Sequence, residues 1–157
     1  MTYNKNHYGA YQQASHAASE IRQVIMLYEG AINFIEQAKE AIDEKNYEKR
    51  YNLINKAISI VTGLNSCLNF DDENAKDTSE ALDQYYQEID MRLLYVQCDN
   101  SKESCDAIIE DLRVMLNAWR DVERETEDKI EIPDKKQDDD SDFESTESGG
   151  SDLHISV

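Results

Sequence analysis

Three histidines (His7, His16, His154) and three cysteines (Cys67, Cys98, Cys105) are the residues whose types could support nucleophilic or metal chemistry. A di-iron bundle needs inward carboxylates and Glu-x-x-His pairs, so that two ligands one helical turn apart reach the same ion. No histidine here lies three residues after a glutamate, and none falls in a stretch of helical periodicity. A calcium loop needs oxygen ligands at alternate positions, glycine at the sixth and a bidentate glutamate at the twelfth. Counted from Asp138, those two places hold Phe143 and Gly149; counted from Asp71, the fifth place already holds Ala75. The cysteines are odd in number, form no Cys-x-x-Cys pair and have no neighbouring histidine to act as a base. There is also no glycine-rich phosphate loop and no nucleophile elbow. The expectation is a protein without catalysis, metal or cofactor, whose thiols are free and buried.

The totals narrow the class further. A formal net charge of −18 on 157 residues would repel a phosphate backbone, whose binding draws on lysine and arginine. Nucleic acid is therefore excluded as a partner. No run approaches the roughly 18 apolar residues of a membrane span, and no basic, apolar leader opens the chain. The expected location is the cytoplasm, without membrane insertion. Five glycines and one proline leave little material for tight turns, so the composition points to helices.

Periodicity supplies four of them. Ile21, Val24, Ile25, Tyr28, Ala31, Ile32, Ile35, Ala38 and Ile42 step by threes and fours, predicting a helix from about Ser19 to Asp43. Asn46 is placed to cap a second helix from about Tyr47 to Asn69. That helix carries two apolar stripes about 100° apart. One runs through Tyr47, Tyr51, Ile54, Ile58, Val61 and Leu68, the other through Leu53, Ala57, Ile60, Leu64 and Cys67. Either it is a central helix touching two neighbours, or one stripe lines a groove for a partner helix. A third helix is predicted over about Ser79–Gln97, with Leu82, Tyr86, Ile89 and Leu93 among its inward residues, and a fourth over about Lys102–Glu125, with Ile108, Leu112, Leu116 and Trp119 among its own. Short links make this an all-α, antiparallel four-helix bundle.

Both ends differ from the middle. Residues 1–18 carry Tyr3, Tyr8 and Tyr11 without an apolar period and read as an irregular lead-in. Residues 126–157 set eleven acids against three lysines and few apolar residues, which predicts a disordered acidic tail. The bundle proper is expected over residues 19–125.

Nine tyrosines against three phenylalanines favour a surface that is apolar in one state and wetted in another, because the ring carries a polar tip. The fragments "NHYGAYQQ", "MLYEGAINFIEQAKEAI", "NLINKAISIVTGLNSCLNF", "RLLYVQ" and "AWRDV" fall in one order over residues 6 to 122. In that order the chain resembles the flagellar secretion chaperone FliS family. The resemblance implies a small antiparallel helical bundle that binds the C-terminal helical region of flagellin, prevents premature polymerisation and delivers it to the type III export apparatus. The export gate is implied as a further partner. It also implies that the lead-in lies over part of the empty groove.

By position, the resemblance assigns partner binding to Tyr8 and Tyr11, to Leu27 and Tyr28 in "MLY", and to Leu64, Asn65 and Leu68 in "LNSCLN". Leu53 and Ile60 join them because they share the second stripe. For Leu27, Tyr28 and Leu64, core packing is the competing reading, and Asn65 could instead hold the bundle's register by an internal hydrogen bond. Two departures stand out. Where the family has Thr or Ser followed by Pro before the first helix, this chain has "HAASE", one residue shorter and without proline. The acidic tail has no counterpart in the family pattern. The alternatives are a divergent chaperone for another secreted protein, or a structural bundle that uses the second stripe to dimerise; the leading reading expects a monomer or weak dimer.

Overall fold

The structure, a computed structural model, describes residues 4–135. Tyr3 and the acidic stretch from residue 136 onwards lie outside the described residues. The chain forms four helices: α1 (Asn4–Asp43), α2 (Tyr47–Ser66), α3 (Lys76–Asp99) and α4 (Lys102–Lys135). α1 packs on α2 and α4, and α3 packs on the same two helices, with the α3–α4 seam the slightest of the four contacts. α1 therefore faces α3 across one diagonal of an antiparallel bundle, as the apolar periodicity requires.

The turns follow from local chemistry. Lys45 takes the left-handed conformation (φ 56°). The Asn46 N–H then reaches the Ala41 carbonyl at 2.9 Å, and the Lys45 N–H reaches that of Ile42 at 3.0 Å. This is the Schellman pattern that ends a helix and satisfies its orphan carbonyls. Asn46 starts α2 as expected, its side chain accepting from the Lys49 N–H at 3.1 Å. Between α3 and α4, Asn100 (φ 52°) ends one helix, and the Ser101 hydroxyl accepts from the Ser104 N–H at 3.1 Å at the start of the next.

The core is a continuous cluster that includes Ile25, Tyr28, Ile35, Ile54, Val61, Ile89, Leu93, Ile108 and Leu112, all fully buried. Members of both α2 stripes lie in it: Ile54 and Val61 from one, Leu53, Ala57 and Leu64 from the other. Two-sidedness thus reflects a helix wedged between α1 and α3. Of the two readings of this helix, the burial of Leu53, Ala57 and Leu64 fits the central one, touching two neighbours at once. Along the α1–α4 seam, Arg22–Glu123, Arg120–Glu29, Arg113–Glu36, Lys39–Asp106 and Lys102–Asp43 form an antiparallel ladder of ion pairs. Each exposed pair contributes at most about 1 kcal/mol; together they fix the register.

Helix ends depart from the expected boundaries in both directions. α1 begins at Asn4 and not near Ser19, so the described part of the lead-in is helix and not irregular chain. The reason lies in "AYQQASHAASE": alanine and glutamine favour helix, and no proline interrupts it. At the other end, α4 continues through Lys135, so residues 126–135 are helical where a disordered tail was expected. α2, by contrast, stops at Ser66, three residues before Asn69.

Candidate apolar slot at the end of the second helix

That early stop creates the site. Asn65, one residue before the end of α2, donates from Nδ2 to Asp83 Oδ1 of α3 at 2.8 Å. The turns of α3 that precede Asp83 therefore extend beyond α2, as do α1 and α4. The link that replaces α2 is pinned sideways, the Ser79 hydroxyl donating to the Asn69 carbonyl at 2.6 Å. Three helices continue where the fourth has ended. Their inward faces enclose an open cavity of about 300 Å³, lined by Glu20, Gln23, Val24 and Leu27 of α1, Leu64, Cys67 and Leu68 at the end of α2, Leu82 and Tyr86 of α3, and Trp119 of α4.

The lining is apolar at its base and polar at its rim. Leu64 (6% exposed) and Tyr86 (2%) are held by the core, while Leu27 retains 40% of its surface in water. Beneath them Tyr28 Oη donates to Tyr86 Oη at 2.8 Å. Burial pushes both hydroxyls above the ordinary tyrosine range, so neither offers a charge to the slot. The Trp119 indole N–H is buried beside the Tyr28 hydroxyl, whose rise it offsets in part. A volume at the lower end of the range for binding pockets suits a few side chains of a larger partner. The lining holds one thiol, one carboxylate and no histidine, an inventory for apolar contact and not for proton transfer. By contrast, the cleft of about 370 Å³ between α1 and α4 is walled by Glu29, Glu36, Arg113 and Arg120, which are already paired with one another.

Of the residues singled out from the sequence, the slot gathers Leu27, Leu64 and Leu68. Tyr28 and Leu53 are core, at 0% and 6% exposure. Ile60 packs against the core at its edge, its Cδ1 lying 3.4 Å from where a Cβ on Gly30 would stand. Asn65 makes the cross-helix bond already described, the register role that competed with partner binding. Tyr8 and Tyr11 are 67% and 55% exposed on the first turns of α1. Nine positions, about 14 Å of helix, lie between Tyr11 and Glu20 at the near edge of the slot, so these exposed rings do not lie over it. Val24, Leu82, Tyr86 and Trp119 were read as inward-facing but not as a site. The available signal was Leu68, whose apolar period outlasts the helix that carries it. The thiols also divide: Cys105 is buried as expected, whereas Cys67 and Cys98 are exposed.

Among the described residues no helix is long and apolar enough to cross a membrane. The family model described as flagellar protein FliS matches residues 4–126. A curated relative, the flagellar secretion chaperone FliS of Vibrio cholerae serotype O1, is 31% identical over 106 residues, covering 68% of this chain and 76% of its own. The flagellar secretion chaperone FliS of Campylobacter jejuni subsp. jejuni serotype O:6 is 27% identical over 116 residues, covering 73% of this chain and 89% of its own.

Proposed function

The chain belongs to the FliS family of flagellar proteins, and from that membership we propose that it is a cytoplasmic flagellar secretion chaperone. Its client is the C-terminal helical region of flagellin, which it keeps from polymerising and surrenders to the export apparatus. The observation that carries this reading is the slot where α1, α3 and α4 continue past the end of α2. An amphipathic client helix set there takes the place of the missing fourth helix, laying its apolar face on Val24, Leu27, Leu68 and Leu82. Full burial of one aliphatic side chain is worth about 1.5–3 kcal/mol, so two or three anchors suffice for a hold that remains reversible. Beyond the slot the client passes along the α1 extension, where Tyr8 and Tyr11 present rings to it.

The test is a titration of the full chain with a peptide of roughly 40 residues from the flagellin C-terminus, followed by heat and circular dichroism. Binding with a gain of helix and a negative heat-capacity change supports the reading, since apolar burial has that signature. Absence of binding by the folded protein moves the assignment to a different secreted client.

A further inference from the structure

We propose that the outer face of α3 and α4 is a second docking surface, which takes a basic amphipathic helix of another protein. A helix of a small bundle normally turns polar residues to water, yet α3 exposes Met91 (60%), Leu94 (56%) and Tyr95 (63%) at i, i+3 and i+4, and α4 exposes Val114 (64%) beside them. Tyr95 and Val114 stand along the loosest seam of the bundle, and Met91 and Leu94 continue the apolar surface from Tyr95 over the solvent face of α3. Two depressions of about 290 and 360 Å³ run along it, sharing Arg92: Ile89, Val114 and Met115 line one, Tyr95 and Ala107 the other. Methionine and tyrosine are residues that interface cores favour.

The rim decides the occupant. Glu88, Asp99, Glu103 and Glu110 are exposed around the seam. Arg92 is the one cation in α3 between Lys76 and Ser101, and it is engaged with Asp111 across the seam. Lys102 and Arg113 are turned the other way, to Asp43 and Glu36 of α1. An apolar stripe bordered by carboxylates that form no ion pair among the described residues is complementary to a helix with leucine-like residues on one face and lysine or arginine on its flanks. A second copy of this chain is the less suitable occupant, because a two-fold pairing would set acid rim against acid rim. Tyr86 and Leu82 reach the slot from the inner face of α3, so this outer surface stays open while the slot is filled.

The probe is a fluorescein-labelled 18-residue amphipathic helix of leucine and lysine, with a leucine–glutamate twin as control, followed by anisotropy on the full chain. The leucine–lysine peptide is expected to bind, and its twin at least tenfold more weakly. Tyr95→Ser with Val114→Ser, which leaves net charge unchanged, is expected to weaken binding at least tenfold, and Val114→Lys alone to do the same. Leu27→Asp, in the slot, is expected to change it less than twofold. Binding that survives both seam variants, or that is lost with Leu27→Asp instead, overturns the proposal. So does light scattering that shows a dimer converted to a monomer by the seam variants.

Discussion

Tyr28 on α1 and Tyr86 on α3 meet hydroxyl to hydroxyl at 2.8 Å across the diagonal of the bundle, their rings 6.4 Å apart and inclined by 49°. This is a polar contact in an otherwise apolar centre, and Tyr86 is at once its partner and the base of the slot. A buried hydroxyl left without its partner costs about 1–3 kcal/mol, whereas removing both groups is close to neutral.

Tyr28→Phe is therefore expected to lower stability by about 1–2 kcal/mol in urea unfolding. The double variant with Tyr86→Phe should cost less than the sum of the single changes. Additive losses would mean that the hydroxyls are not coupled.

Leu27 keeps 40% of its surface exposed and lines the slot, so it separates binding from folding. Leu27→Asp places a carboxylate where a client's apolar face must sit, and burying that charge is unfavourable. Calorimetry should record at least a tenfold loss of affinity for the flagellin peptide, while the urea midpoint hardly moves.

Asp90 gives a pH dependence with a definite sign. Burial raises its carboxyl above the ordinary value; Thr62, donating to Oδ2 at 3.3 Å, offsets this only in part, and Oδ1 has no partner among the described residues. A group with a raised folded value binds its proton more tightly in the native state, so its contribution to stability falls as pH rises through that value. Asp90→Asn is expected to raise the urea midpoint at pH 7 and to lose that advantage below the ordinary aspartate value of 3.8. An equal difference at both pH values would point to packing instead.

How far the sequence revealed this protein depends on the kind of information each feature needs. Inward faces such as Ile25–Tyr28 and Leu112–Leu116 are set by local periodicity and were legible, as was the Asn46 cap. The slot was only partly legible. It depends on where α2 ends relative to its neighbours, and that is fixed by the Asn65–Asp83 bond and the Ser79–Asn69 contact, both made across the link between α2 and α3, where helical periodicity carries no signal. The start of α1 was misread for a different reason: Tyr8 and Tyr11 interrupt the apolar period, but alanine-rich chain without proline stays helical without one.

The helical lead-in reverses one expectation. Were the rings of Tyr8 and Tyr11 to cover the groove, replacing both by alanine would raise binding of a hydrophobic dye. With the rings exposed on α1 about 14 Å or more of helix from Glu20 at the near edge of the slot, the double variant is expected to leave dye binding unchanged. Ala14→Pro should remove helix signal from the first turns with little change in the unfolding midpoint of the core.

The thiols provide internal reporters. Burial, with Asp106 nearby, pushes the Cys105 thiol up to about 11, so at pH 8 it is expected to remain unmodified in the native state. Cys67 and Cys98 are exposed and should react. Mass spectrometry after brief alkylation should find two modified cysteines, and three only after unfolding.

Because Cys67 lines the slot and Cys98 lies near the opposite end of α3, the ratio of their alkylation rates in the presence of the flagellin C-terminal peptide locates the client directly. The account predicts that saturating peptide slows Cys67 at least tenfold and leaves Cys98 within a factor of two. A peptide that binds but leaves Cys67 as reactive as before would contradict the claim that the client occupies the place beyond the end of α2.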